Sequence, residues 1–175
     1  MKKYQFIPTL IYFTGLSSSG KTTLSKLLKK KFKSLGINSK YIDGDSFRKK
    51  FKLNKYDSKS REKVVVKKFD YAQKFLKEKK MIIISGVGAK IRSRRNLRKK
   101  FNNFIEIRVD CPLRICQLRD KKKLYLKKDK NKSVNNYYEK GNTHNLIVNS
   151  YRESQYQNIK KIFQFFKKNR LIFFK

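Results

Sequence analysis

Cysteine is nearly absent from this chain. Cys111 and Cys116 lie five apart, form no CxxC pair and have a single histidine, His144, as a nitrogen ligand to join them. That excludes a thiolate–imidazole zinc centre and a disulfide-built scaffold, and both thiols are expected as packing residues in a reducing compartment. Long hydrophobic runs are missing too. No stretch approaches the roughly 20 apolar residues needed to span a bilayer, so no membrane partner is expected. The opening Met1-Lys2-Lys3, followed by an apolar stretch to Leu16, imitates a short secretion signal. Cleavage there would cut into a glycine loop at 15–22, and the expected location is cytoplasmic. Acidic residues are scarce, with 12 Asp and Glu against 48 Lys and Arg, for a formal charge of +36.

Such a charge ordinarily points to nucleic acid, because clustered Lys and Arg displace the counterions condensed on phosphates. Here the lysines are spread through nearly every segment and do not gather on one face, so the expected partner is a small anionic substrate and no specific nucleic acid. The 175 residues suit a single domain over 1–175, and 38% hydrophobic and 14% aromatic residues supply enough core despite 34% charge. No internal repeat and no linker divides the chain.

The apolar pattern alternates between strand and helix. Leu10 to Thr14 reads as a buried strand ending at Gly15. From Thr22, the residues Leu24, Leu27, Leu28, Phe32 and Leu35 keep helical spacing up to a stop at Gly36, with lysines on the solvated face. Ser39 to Ile42 and Met81 to Ile84 are strand candidates, and Val65, Phe69, Ala72 and Leu76 mark the helix between them. A basic helix over 91–100 leads to an alternating strand from Phe104 to Val109, and Pro112 sits where the next helix begins. Residues 119–142 are polar and weakly periodic, as expected of a lid. Leu146 to Val148 reads as a last strand, and Ile159, Ile162, Phe163 and Phe166 as a closing helix. Strands separated by helical crossovers imply an α/β fold with a parallel sheet.

Between the first strand and the first helix stands Gly15-Leu16-Ser17-Ser18-Ser19-Gly20-Lys21-Thr22, which satisfies G-x-x-x-x-G-K-[ST] in the context that motif requires. Glycines permit the tight turn, and backbone N–H groups and the helix N-terminus face phosphate oxygens. Residues 15–23, through Thr23, are therefore expected to bind ATP. Lys21 is expected on the β- and γ-phosphates and the Thr22 hydroxyl on Mg²⁺. The loop expected after the second strand carries Asp43-Gly44-Asp45-Ser46-Phe47-Arg48, at the strand's carboxyl end, where open α/β sheets bind ligands. One carboxylate there can take or orient a hydroxyl proton, and Arg48 can hold an anion through paired hydrogen bonds.

Together these residues resemble the adenylylsulfate kinases. Phe13-Thr14-Gly15-Leu16-Ser17 opens the loop as it does in that family, and the Asp43 to Arg48 element follows at comparable spacing. Val109-Asp110-Cys111-Pro112-Leu113 and Arg119-Asp120-Lys121-Lys122-Lys123-Leu124-Tyr125 match the family's next signatures. The resemblance covers roughly residues 10 to 148. It implies a P-loop NTPase three-layer sandwich, with a parallel sheet of about five strands and helices on both faces. It also implies transfer of ATP's γ-phosphoryl to the 3′-hydroxyl of adenosine 5′-phosphosulfate. By this resemblance Asp45 is the base, Lys21 and Arg119 serve catalysis, and Arg48 and Arg61 hold the substrate's anion. Tyr56 stacks on the substrate base, and Arg92 with Arg95 forms an Arg-x-x-Arg pair. A homodimer is left open.

Four departures fall on the acceptor side. Ala89 stands where the family has the serine regarded as a phosphoryl intermediate, and Val64 replaces a substrate-contacting Asn. The Phe-Thr-Gly segment that closes over the adenine is missing from Ser133 to Tyr138, with Tyr137 or Tyr138 as substitute stacking rings. Lys123 replaces the lid glycine, which would stiffen the lid. The reaction type is thus better specified than the acceptor. One alternative is the 3′-hydroxyl of another nucleotide-activated group, such as a cytidine diphosphoramidate-type compound. A second is a basic nucleotide-binding switch, or an enzyme acting on polynucleotide ends.

Overall fold

Alternate residues of Leu10–Thr14 are buried on opposite sides: Ile11 and Phe13 pack with one core cluster, Leu10 and Tyr12 with another. A strand apolar on both faces needs helices above and below it, and the computed structural model shows that arrangement. It describes residues 4–53, 58–121, 123–125 and 138–174, with only the backbone of residues 58, 59 and 61. The elements in chain order are β1 (Tyr4–Phe6), β2 (Leu10–Thr14), α1 (Lys21–Ser34), β3 (Ser39–Ile42), α2 (Gly44–Lys50), α3 (Ser58–Lys77) and β4 (Met81–Ser85). After them come α4 (Ile91–Lys100), β5 (Phe104–Asp110), α5 (Leu113–Leu118), β6 (Leu146–Asn149), α6 (Gln155–Lys168) and β7 (Ile172–Phe174).

Five parallel strands form one sheet in the order β3-β4-β2-β5-β6. One face is covered by Leu24, Leu28 and Phe32 of α1 with Ile162, Phe163 and Phe166 of α6; the other by Phe47 of α2, Val64, Phe69 and Ala72 of α3, and Leu97 of α4. The expected three-layer sandwich is therefore observed. Truncating a fully buried ring such as Phe32 would cost about 3–5 kcal/mol. On α1, Lys26, Lys29, Lys30, Lys31 and Lys33 are all exposed, opposite the leucine stripe. The chain runs outward from β2 to β3, returns to β4, then crosses to β5 on the other side of β2. That reversal opens the crevice at the strands' carboxyl ends where such sheets bind ligands.

Three local features differ from the sequence reading. Asp43 to Arg48 is not a loop: Asp43 caps α2 by accepting from the Ser46 N–H at 3.0 Å, so Asp45 and Arg48 sit on a helix. Pro112 is the N-cap of α5 and not its first residue. The antiparallel pair β1–β7 was not foreseen, because three residues carry too little alternation to register as a strand. Most of the expected lid, namely residues 122 and 126–137, lies outside the described residues, as does Tyr137.

Candidate active site

The loop after β2 is shaped by backbone constraints. Gly15 has φ +135° and its missing Cβ would lie 2.5 Å from the Val109 carbonyl oxygen, so only glycine fits. Gly20, at φ +93°, turns the chain into α1. Two neighbours hold the loop from outside: the Tyr125 hydroxyl donates to the Ser17 carbonyl at 2.8 Å and the Ser150 hydroxyl to the Ser19 carbonyl at 2.7 Å. Lys21 folds back over the loop, donating to the Leu16 carbonyl and, at 3.4 Å, to the Ser19 hydroxyl. Burial lowers its pKa to about 8.

A cavity of about 500 Å³ opens beside the start of α1, lined by Ser18, Gly20 to Leu24, Arg119, Ser150, Glu153, Gln155 and Asn158. Arg119 caps α5 and reaches this cavity by donating to the Ser150 carbonyl at 3.1 Å and its hydroxyl at 3.4 Å. The Asp120 carboxylate accepts from the Tyr125 N–H at 2.7 Å and closes the turn that brings Tyr125 to the loop. Lys123 within that turn has φ +51°, a left-handed conformation natural to glycine. Ser150, Glu153, Gln155 and Asn158, which line the cavity's far wall where the Ser154–Gln157 capping box starts α6, were not singled out from sequence. The capping box itself, Ser154-x-x-Gln157, was a readable signal.

Across the crevice, Tyr41 donates to the Asp43 carboxylate at 3.0 Å and shares a 2.8 Å hydrogen bond with the Ser85 hydroxyl. Burial raises the Tyr41 pKa to about 12, against the pull of hydrogen bonds with Ser85 and Thr22. Burial would also raise the Asp43 carboxyl, but hydrogen bonds from Ser46 and Tyr41 outweigh it and hold the group below its ordinary range. Thr22, Tyr41 and Asp43 thus meet where α1 begins and β3 ends. Asp45 is exposed in the first turn of α2, and half-buried Arg48 donates to the Leu53 carbonyl at 3.2 Å. Tyr56 lies outside the described residues and Arg61 is described by its backbone alone. Arg92 and Arg95 are exposed on α4.

The arginine that α4 turns inward is Arg94. It is fully buried, pairs with Glu106 at 3.0 Å, and donates to the Thr143 hydroxyl at 2.9 Å, the Glu139 carbonyl at 2.5 Å and the Gly88 carbonyl. Its guanidinium lies 4.7 Å over the Tyr138 ring, whose hydroxyl meets the Thr14 hydroxyl at 3.0 Å; Thr14 in turn donates to Glu106 at 3.0 Å. This network ties the end of β2 to the segments around Ala89 and Glu139. Two signals could have found it: a glutamate in the middle of an apolar strand, and Arg94 on the same helical face as Ile91 and Leu97. Val64, in place of the family's Asn, is buried in the core.

A loop of fixed N–H groups, a buried ammonium and a guanidinium facing carboxylates across a crevice can hold a polyphosphate on one side and present an acceptor on the other. The adenylylsulphate kinase family model matches residues 7–149. An adenylyl-sulfate kinase of Clostridium acetobutylicum is 29% identical over 173 residues, covering 93% of this chain and 85% of that protein. A cytidine diphosphoramidate kinase of Campylobacter jejuni is 34% identical over 130 residues, 74% of this chain and 75% of its own. Among solved structures, an APS kinase of Mycobacterium tuberculosis in complex with AMPPNP and APS superposes with a TM-score of 0.82 at 21% identity, over 93% of this chain and 99% of that one. Fold, loop and family match agree, and the chain belongs to the adenylylsulphate kinase family.

Proposed function

We propose that this enzyme transfers the γ-phosphoryl group of ATP to the 3′-hydroxyl of adenosine 5′-phosphosulfate. The observation that carries the reading is the loop at 15–22 with Lys21 buried in it, facing the carboxylates at the end of β3 across one crevice. ATP's phosphates lie along residues 15–23, with Lys21 on the β- and γ-phosphates and Arg119 neutralising charge as the phosphoryl group moves. Asp45 takes or orients the proton of the attacking hydroxyl. Arg48 and Arg61 hold the acceptor's anionic group, Tyr56 stacks on its base, and Arg92 adds positive charge at the rim. The acceptor oxygen forms its bond to phosphorus as the bond to the β-phosphate bridging oxygen breaks. With Ala89 in the serine position the transfer is direct, with no phosphoryl-enzyme.

Mg²⁺ fits this reading. Among the described residues no cluster of three metal-ligating side chains exists, and a magnesium–nucleotide complex needs none, since it keeps waters and phosphate oxygens and takes few protein ligands. The Thr22 hydroxyl would hold it, and the Asp43 carboxylate, which meets Thr22 around Tyr41, lies on the same side. When bound, the ion supplies neutralisation of the β- and γ-phosphate charge.

A second acceptor, a cytidine diphosphoramidate-type nucleotide, is favoured by the acceptor-side departures at Val64 and Ala89 together with the 34% identity to the Campylobacter enzyme. The test is incubation with ATP, Mg²⁺ and adenosine 5′-phosphosulfate, with the product's phosphorylation site assigned by phosphorus–proton correlation NMR. A 3′-phosphorylated product is expected. ATP hydrolysis with an unmodified acceptor would contradict the reading.

A further inference from the structure

Lys68 of α3 is a charge that the mechanism above does not use. Its residue is 4% exposed, and its ammonium lies at the carboxyl ends of β3 and β4, donating to the Ser85 carbonyl at 3.3 Å and sitting 5.8 Å from the Tyr12 ring centre. Among the described residues it makes no ion pair. Two glycines give it room: a Cβ on Gly86 would lie 3.0 Å from its Nζ and one on Gly44 3.8 Å away. Burial, followed by the positive field of Arg48, lowers its pKa to about 8, with Asp43 and Asp45 pulling the other way. An ammonium held in a dry place beside Gly44, with half-buried Arg48 one helical turn further along α2, costs free energy that a core lysine has no reason to incur, because an apolar side chain would fill the same volume without it. A charge held this way beside a crevice marks a place where an anion completes the arrangement.

We propose that Lys68 is a specificity-determining residue, forming with Arg48 a two-cation floor under the acceptor site that selects acceptors bearing a diphosphate-like anion. The inference rests on the kinase reading and adds a residue to its acceptor side. Gly44 and Gly86 belong to the same device, since a side chain at either would crowd the ammonium. Tyr12 supplies the ring under the ammonium and the Ser85 carbonyl fixes its direction. A plain mononucleotide, with one phosphate to offer two cations, is the acceptor this floor discriminates against.

The test replaces the ammonium by a side chain of similar length, Lys68→Met. KM for adenosine 5′-phosphosulfate should rise about 10- to 100-fold, the loss of one charge-assisted hydrogen bond, while KM for ATP stays within about twofold and the melting temperature does not fall. Gly86→Ala, which pushes a methyl group toward Nζ, should raise the same KM in the same direction. A second arm needs no turnover: inorganic pyrophosphate is titrated calorimetrically into ADP-saturated protein, wild type against Lys68→Met. Tenfold or greater weakening is expected. Equal pyrophosphate affinity in the two proteins, or no binding to the wild type, overturns the proposal. So does an unchanged acceptor KM in folded Lys68→Met. Wild-type protein that binds pyrophosphate through Lys68 but turns over no adenosine 5′-phosphosulfate sinks the choice of acceptor and leaves the two-cation floor standing.

Discussion

On the nucleotide side of the crevice, backbone geometry leaves little freedom: a Cβ at Gly15 would strike the Val109 carbonyl, and the loop's own carbonyls are held by Tyr125 and Ser150. On the side proposed for the acceptor, the resemblance puts the departures from the family in side chains. Val64, buried in the core, and Ala89 stand where the resemblance implies an Asn and a Ser, while Lys68 and Arg94 are buried cations held by local partners. Phosphate geometry is the same for every ATP, so a cradle built from N–H groups has no tolerance for change. An acceptor is recognised by side chains, which can be exchanged while the reacting atoms keep their places.

The largest effect expected from this contrast is on the nucleotide side. Lys21→Met should reduce turnover to background with the fold intact, as judged by circular dichroism and a melting temperature at or above that of wild type. Turnover within tenfold of wild type would break the assignment. Asp45→Asn comes next, with kcat lower by about 10²–10⁴ and KM for ATP little changed; equal losses in ATP binding and kcat would move Asp45 to the nucleotide side.

How far each side could be read from the sequence follows the same division. Gly15, Gly20, Lys21 and Thr22 were legible because one short motif carries the whole cradle, and β2, α1, β3, β4, α4, β5 and α6 were legible from apolar spacing. The helix α2 was not, since Gly44 to Lys50 has too few apolar positions and its start rests on the Asp43 cap. Arg94 and Lys68 were hidden among 48 basic residues, most of which read as solvated faces. What distinguishes these two is tertiary: Glu106 arrives from β5, Gly44 from the start of α2 and Gly86 from the loop after β4.

Arg94→Met sharpens the comparison in stability. It strands a buried Glu106 carboxylate, and chemical denaturation should show a loss of about 3–5 kcal/mol. Adding Glu106→Gln should recover much of that, and a single mutant as stable as wild type would show the network to be idle. The smallest effect is a pH dependence. Lys21 and Lys68 have folded pKa values of about 8 against 10.5 unperturbed. Between those values the unfolded chain binds more protons, so their burial penalty is complete below about pH 8 and is relieved as pH rises toward 10.5. Relative to wild type, Lys68→Met should therefore gain the most stability below pH 8, with the difference shrinking by pH 10. A difference independent of pH would contradict the burial of a charged Lys68.

The most direct measurement is a competition: limiting ATP, Mg²⁺, and equal concentrations of adenosine 5′-phosphosulfate and cytidine diphosphoramidate in one tube, with both 3′-phosphorylated products quantified by mass spectrometry. The account predicts that the phosphorylated adenosine compound predominates. A predominance of the cytidine product, or ATP left unused with both acceptors present, would contradict it.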